Sequence, residues 1–362
     1  MIPETIKNKI GAGLLSKPNH PLALIKAKIE NYFKNTFDRC VADCDACTPF
    51  TFIDCSEPFV SATANFDDLL IPEDHPSRAE TDTFYKDDSV VLRTHTSAHQ
   101  AELLKAGHRS FLAFGDCYRK DTVDATHYPV FHQVEGVLVH EKPSVTGSYD
   151  SCEALFEADL KETLEGLVKH IFGSDIKIKW AEDYFPFTDP SWEMEICLND
   201  RWLEILGCGM IQPKILTNCG IEGSIGWAFG IGLERLAMIL YQIPDIRLFW
   251  TEDERFHSQF KNGDAIFVPY SKHPPVFKDI SFWVGETYHE NQFYELAREI
   301  SKDLIEEIRL TDKFTHPKTE KTNNTFRITY RSTDRSLTNE EINVIQETLR
   351  KSVVEQLDVE LR

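Results

Sequence analysis

The chain has 362 residues, 41% hydrophobic and 27% charged, with a formal net charge of −20 at pH 7. At about 150 residues per domain this allows two or three domains; no apolar run reaches the roughly 18 residues a membrane helix needs, and nine cysteines in so long a chain exclude a small disulfide scaffold. So acidic a balance excludes a surface that binds nucleic acid all round, and any RNA contact needs a local basic face.

The opening MIPETIKNKIGAGLL is poor in arginine, carries Glu4 and does not resemble a transit or secretory peptide, so a targeting segment is expected to be absent or already removed. Residues 21–39 place Leu22, Ile25, Ile29 and Phe33 at helical spacing behind Pro21 at the first helical position. Cys40, Cys44 and Cys47 follow, and their C-x3-C-x2-C spacing matches a radical-SAM iron–sulfur loop. Ala46 stands where that loop usually has an aromatic, however, and no train of βα units follows. Zinc, with Cys55 as fourth ligand, finds one acceptable C-x2-C half. Free thiols are the plainer reading, as for Cys117, Cys197 and Cys208 in their apolar stretches. Residues 1–55 thus read as an N-terminal helical, cysteine-rich segment.

Next comes IPEDHPSR (71–78), a loop or edge because two prolines lie close together. Residues 97–107 predict a helix with Ser97 as N-cap and Gly107 as its stop. FLAFGDCYR and YPVFHQVEGVLVH read as strands, 151–172 as an amphipathic helix, and IKIKW, WEMEICLN and RWLEILGCGMI as further strands before GLERLAMILYQI. Strands with flanking helices predict an α+β unit on a mostly antiparallel sheet over 56–256. Glycine and proline break the pattern in a linker at 257–272. Residues 273–362 then read β, α, β, β, α, β, the ferredoxin-like order.

Two stretches carry chemistry. GWAFGIGLERLAMI (226–239) has Gly230 and Gly232, but Arg235 stands where a dinucleotide fingerprint has its third glycine, and no parallel strand follows the helix. The other reading is a strand whose glycines let a nucleotide approach, followed by a helix presenting Arg235 to a phosphate or a base. GDCYRKDTVDATHYPVFHQVEG (115–136) fits the same ligand. If its strands pair, Arg119 and Glu135 face one cleft, Arg119 neutralises charge building on an α-phosphate, Phe131 stacks an adenine and His127 reaches terminal phosphates. Together the stretches resemble motifs two and three of the class II aminoacyl-tRNA synthetases.

FPFTDPS (185–191) and THTSAHQ (94–100) narrow the resemblance to the phenylalanyl-tRNA synthetases, and the single-chain mitochondrial type is similar from about Pro21 to Arg362. The resemblance implies an antiparallel-sheet catalytic domain with a C-terminal ferredoxin-fold anticodon-binding domain, attaching L-phenylalanine to tRNA(Phe) through phenylalanyl-adenylate with ATP and Mg2+. It assigns Ser97, Ala98, His99, Gln100, Gln133, Val134 and Glu135 to substrate binding, with Ser97, Gln100, Gln133 and Glu135 taking the ammonium and carboxylate, an ammonium needing acceptors such as Glu135. Phe185 and Phe187 would meet the substrate ring edge to face, with Ala228 and Phe229 at its far end and Ala228 limiting space at the para position. ATP would fall to Arg119, Asp121, Thr126, His127, Tyr128, Phe131, Glu204 and Arg235, with Arg119 and Arg235 catalytic and Glu204 also holding the magnesium. No segment remains for an editing domain, and an apolar pocket rejects an added hydroxyl by only about 100-fold, so tyrosine misactivation is expected.

At the C-terminal end Lys313, Lys318, Lys321, Arg327, Arg331 and Arg335 crowd one stretch, with Phe314, Phe326 and Tyr330 interleaved. Alternation turns Phe326, Ile328 and Tyr330 to the core and Arg327, Thr329 and Arg331 outward. Basic side chains and aromatics on one sheet suit an anticodon loop, with Lys318, Lys321, Arg327 and Arg331 as the tRNA contacts. The resemblance further implies a monomer without membrane attachment in the mitochondrial matrix, the cytoplasm being the alternative. Class II folds generally pair through a proline-bearing first motif, of which IPEDHPSR is a candidate remnant. The rival readings are a non-catalytic synthetase-like RNA-binding paralogue, which the presence of every charged motif position opposes, and an RNA-binding protein that uses only the C-terminal module.

Overall fold

The computed structural model describes residues 2–37, 49–142, 151–263, 265–270 and 273–362. Cys40, Cys44 and Cys47 lie outside the described residues, and with them the iron–sulfur and zinc readings. Cys55 is half-buried, and burial pushes its thiol up to about 11.

A seven-stranded sheet carries the larger unit. Its strands are β1 (Thr51–Asp54), β5 (Ser110–Tyr118), β6 (Val130–Glu141), β7 (Lys177–Phe185), β8 (Thr188–Leu198), β9 (Arg201–Ile211) and β10 (Ser224–Gly232), in the order β1-β5-β6-β10-β9-β8-β7. Only the β1–β5 pair is parallel, so the expectation of a mostly antiparallel sheet holds. A small sheet of β2 (Phe59–Ser61), β3 (Tyr85–Asp87) and β4 (Val90–Leu92) lies beside it.

Three helices cover one face of the large sheet: Pro21–Phe37, Cys152–Phe172 and Leu233–Tyr241. The first buries Leu22, Ile25, Ile29 and Phe33 completely against Val134, Leu206 and Ile231. At about 1.5–3 kcal/mol for each such side chain, this helix belongs to the sheet's own core. The N-terminal stretch is therefore a layer of the catalytic unit and not a segment standing apart. The helix expected over 97–107 also differs. It is a 3-10 turn, Thr96–His99, followed by Gln100–Lys105, and Ser97 caps nothing because its hydroxyl is engaged elsewhere. Gly107 ends it with φ +98°, a conformation costly for any residue with a Cβ.

The C-terminal unit has the expected order. Strands β11 (Val276–Val284), β12 (Ile305–Thr315), β13 (Thr322–Tyr330) and β14 (Val359–Leu361) form an antiparallel sheet ordered β12-β13-β11-β14. Helices Glu290–Ser301 and Asn339–Gln356 pack on one face, each opened by a reciprocal capping box, His289 with Gln292 and Thr338 with Glu341. Phe326, Ile328 and Tyr330 are fully buried in this core.

The two units meet at the loop between β5 and β6. Val123 inserts into the C-terminal core, and its carbonyl accepts the Ile308 N–H at 2.9 Å. Arg298 donates to the carbonyls of Asp121 (2.6 Å) and Thr122, while Lys120 pairs with Glu295 at 2.9 Å. No helix among the described residues is long and apolar enough to cross a membrane.

Candidate active site

The uncovered face of the large sheet floors a cleft of about 700 Å³. Register explains its shape. Glu135 on β6, Gly230 on β10, Gly207 on β9 and Glu193 on β8 stand in one row across four strands. Two carboxylates thus flank a floor of two glycines. A Cβ at Gly207 would come within 2.8 Å of the Phe185 ring and force that ring to shift. Phe185 and Phe187 stack above this floor with centroids 5.7 Å apart and planes 12° from parallel.

Glu135 is 3% exposed, and its hydrogen-bond partner among the described residues is the Ser97 hydroxyl, which donates to Oε2 at 2.5 Å. Burial pushes its carboxyl up to about 8, and the Ser97 hydrogen bond only partly opposes the shift. Gln133 lies two residues earlier on the same face, and its Oε1 accepts from the Thr96 N–H at 3.4 Å. Among the described residues Arg119 has no ion pair and is oriented by neutral groups: its Nε donates to the Thr94 carbonyl at 2.7 Å, and its guanidinium sits 5.2 Å from the centre of the Phe131 ring. Across the cleft Arg235 donates to the Glu204 carbonyl at 3.0 Å and pairs with its carboxylate at 3.3 Å. Behind both arginines Glu234 takes the His132 N–H at 2.8 Å and lies 2.7 Å from its Nδ1, a buried clamp between β6 and the helix that carries Arg235.

The cleft brings together Ser97, Arg119, Asp121, Thr126, His127, Tyr128, Phe131, Gln133, Glu135, Phe185, Phe187, Glu204, Ala228, Phe229 and Arg235. Ala98, His99, Gln100 and Val134 do not line it. Val134 alternates to the helix-covered face, and His99 turns to the buried Arg93 guanidinium at 2.8 Å. Gln100 is 1% exposed with neither amide atom bonded. Phe229 touches the cleft but sends its ring through to the opposite face, lying over Gly136 and stacked on Phe33 at 5.8 Å. It packs the core, whereas Ala228 stays on the cleft side. Tyr128 likewise spends its hydroxyl on Asp303 of the C-terminal unit at 2.5 Å. Desolvation raises Asp124, but hydrogen bonds from His127 and Thr126 outweigh it and hold the carboxylate down, and Asp124 in turn raises His127.

Sequence reasoning missed two cleft residues. His95 sits 6.4 Å from Phe187, and burial together with the Arg119 charge lowers its pKa to about 3, leaving a neutral imidazole. Glu193 was hidden in an ordinary alternating strand; burial, then the charges of Glu204 and Asp183, push it up to about 7. Only the pairing register brings it opposite Gly207.

The basic stretch of the C-terminal unit is largely neutralised. Arg327 makes two bonds to Asp279 at 2.8 and 2.9 Å, Arg331 pairs with Glu306 at 3.0 Å, Lys321 with Glu360 at 3.3 Å, and Arg335 with Glu341. Lys313 and Lys318 have no ion pair among the described residues. With Phe326 and Tyr330 in the core, Phe314 is the exposed aromatic of the three.

The tRNA synthetases class II core domain (F) matches residues 24–260, and the ferredoxin-fold anticodon binding domain matches 271–362. The chain is 47% identical to the chloroplastic/mitochondrial phenylalanine–tRNA ligase of Arabidopsis thaliana, over 100% of this chain and 82% of that protein. It is 45% identical to the mitochondrial phenylalanine–tRNA ligase of Dictyostelium discoideum (100% and 89% covered) and 43% identical to that of Mus musculus (99% and 85%). A class II core with one carboxylate–glycine–glycine–carboxylate floor, joined to a ferredoxin-fold unit and similar over its whole length to these enzymes, belongs to the phenylalanine–tRNA ligase family.

Proposed function

We propose that this chain condenses L-phenylalanine with ATP to phenylalanyl-adenylate and passes the aminoacyl group to tRNA(Phe). One observation carries the substrate reading: Glu135 is buried at the end of a cleft roofed by Phe185 and Phe187, and among the described residues a hydroxyl is its hydrogen-bond partner. A buried carboxylate without an opposite charge is costly, and an ammonium delivered with an aromatic side chain supplies both the charge and the apolar surface. The neutral His95 and the carbonyl oxygen of Gln133 add uncharged polar groups near the same end.

The substrate carboxylate then attacks the α-phosphorus in line, and the α–β phosphoanhydride bond breaks with pyrophosphate leaving. Arg119, held by the Thr94 carbonyl and the Phe131 ring, is placed to meet charge on the α-phosphate, and Arg235 to cover the nucleotide from the far side. Positioning and charge neutralisation do the catalysis here, with no covalent enzyme intermediate. In the second step a ribose hydroxyl of tRNA attacks the mixed anhydride and AMP departs.

Glu193 and Glu204 fit a magnesium ion that enters with the phosphates. The charge of Glu204 helps raise Glu193, and Mg2+ is usually held by one or two carboxylates plus substrate phosphates. When bound, the ion neutralises phosphate charge.

The resemblance to the single-chain type supports action as a monomer, and the names of the relatives support a mitochondrial setting, the matrix. Phenylalanine-dependent pyrophosphate exchange, compared across amino acids and followed by charging of purified tRNA, tests the reading. Exchange with another amino acid in preference to phenylalanine overturns it.

A further inference from the structure

Arg119 takes its direction from one backbone carbonyl and one ring, so whatever fixes that carbonyl also fixes the guanidinium. The carbonyl belongs to Thr94, in the link between strand β4 and the Thr96–His99 turn. A residue in such a link has no helix or sheet ladder of its own to hold its peptide groups.

Asn65 supplies the anchor. It ends a one-turn helix, Ala62–Asn65, and is fully buried. Its Oδ1 accepts the Thr94 N–H at 3.0 Å, and its Nδ2 donates to Thr94 Oγ1 at 2.9 Å. The direction of the amide follows from chemistry, because a backbone N–H only donates and so meets the oxygen. Thr94, itself 3% exposed, is thus gripped at main chain and side chain by one planar group, and its carbonyl is left for Arg119 Nε.

The anchor is fixed in turn. The Ala62 N–H donates to the Ser89 carbonyl at 2.8 Å, Ser61 caps the helix by accepting the Ala64 N–H at 3.0 Å, and Phe66 is fully buried beside Leu69, Ile71 and Val91. On the other side of Thr94, the Arg93 N–H donates to Pro58 at 3.0 Å and its carbonyl accepts from Tyr118 at 2.9 Å. The Arg93 guanidinium donates to the carbonyls of Cys55 (2.7 Å), Glu57 (2.9 Å) and Asp116 (2.5 Å). Neutrality counts as much as position. A carboxylate holding Arg119 would compete with a phosphate, whereas an amide acting through a carbonyl orients the arginine and leaves its charge for the ligand.

We infer that Asn65 is a positioning residue for adenylate formation: acting through the Thr94 carbonyl, it holds Arg119 at the α-phosphate. The inference deepens the role given to Arg119 above and rests on it.

The test is phenylalanine-dependent pyrophosphate exchange on the full chain, run as a double-mutant cycle. Asn65→Ala should lower kcat by roughly 10- to 100-fold, since a misplacement of about 1 Å can cost about 100-fold. The KM for phenylalanine should stay within about threefold, as expected when an interaction made in the transition state is lost. In an Arg119→Ala background the same change should cost less than about twofold, because the group it positions is gone. Thr94→Val removes the hydroxyl bond alone and should give a smaller loss that also vanishes in that background; it decides the matter if Asn65→Ala does not fold. Additive losses, or a loss carried by the KM for phenylalanine with kcat intact, overturn the inference and make Asn65 a packing residue. Arg119→Ala exchanging like the unaltered chain would instead sink the phosphate reading itself, and no phenylalanine exchange by the unaltered chain would sink the enzyme reading. Both are distinguishable from a failed cycle.

Discussion

The cleft over Gly207 and Gly230 leaves two of its ionic side chains to neutral partners, whereas most basic side chains of the C-terminal sheet are matched by carboxylates. In the cleft Arg235 pairs with Glu204, but among the described residues Glu135 and Arg119 have no ion pair; each is held by neutral groups. On the sheet Arg327, Arg331 and Lys321 each face a carboxylate. A charge kept unpaired in a buried place costs stability and is retained for a ligand, whereas an exposed pair contributes about 0.2–1 kcal/mol and satisfies itself. Basic residues counted along a sequence therefore overstate an RNA-binding face, and a single buried acid understates a substrate site.

Arg119→Ala should break the cleft's side of the comparison most severely, lowering phenylalanine-dependent exchange by roughly 10²- to 10³-fold, the usual loss for one preorganised transition-state donor. Exchange that survives undiminished contradicts the assignment. Glu135→Gln should raise the KM for phenylalanine by roughly 10- to 150-fold, as a charge-assisted hydrogen bond is lost. The same residue sets a pH dependence. With its carboxyl raised from 4.5 to about 8, Glu135 is protonated in the empty site at neutral pH, so an ammonium binds to its ionised form only as a proton leaves. Phenylalanine affinity should rise between pH 6 and 8, by at most about tenfold per unit, and stay flat in the Gln variant. Stability has the opposite sign. The folded chain holds this proton more tightly than the unfolded one, so the contribution present below 4.5 is lost as pH climbs through about 8, and bound phenylalanine should offset the loss.

Glu234→Gln loosens the clamp on His132 without touching the floor. A rise of roughly tenfold in the KM for ATP, with the KM for phenylalanine nearly unchanged, is expected in exchange kinetics; equal rises in both would show a general packing role. Arg298→Ala frees the Asp121 and Thr122 carbonyls, and a severalfold rise in the KM for ATP is expected if the C-terminal unit holds that loop in place. The smallest effect belongs to Arg327→Ala, which should change tRNA affinity by less than about threefold because only a surface pair is lost. A large loss there would erase the contrast between the two regions.

Much of this was legible along the chain. The two strand-like runs placed Arg119 and Glu135 on one cleft, and helical spacing found Leu22, Ile25, Ile29 and Phe33. What escaped has a common cause. Glu193 reads as one more polar strand residue until register sets it across from Gly207. Phe229 belongs to a motif whose neighbour Ala228 faces the cleft, but the pleat sends its own ring to the other side, where Gly136 makes room. Ser97 looked like a helix cap because the sequence before a helix does not reveal a carboxylate 38 residues away.

The sequence by itself determined the βαββαβ order of the C-terminal unit and the mostly antiparallel character and later strands of the larger one. These follow from local periodicity and from glycines whose spacing is read without a partner. Only the tertiary structure decided which charges stay unpaired. It also decided that Val123 lies in the core of the other unit, and that Asn65 meets Thr94. Each of these depends on strand register or on contacts between distant segments, and no local propensity encodes either.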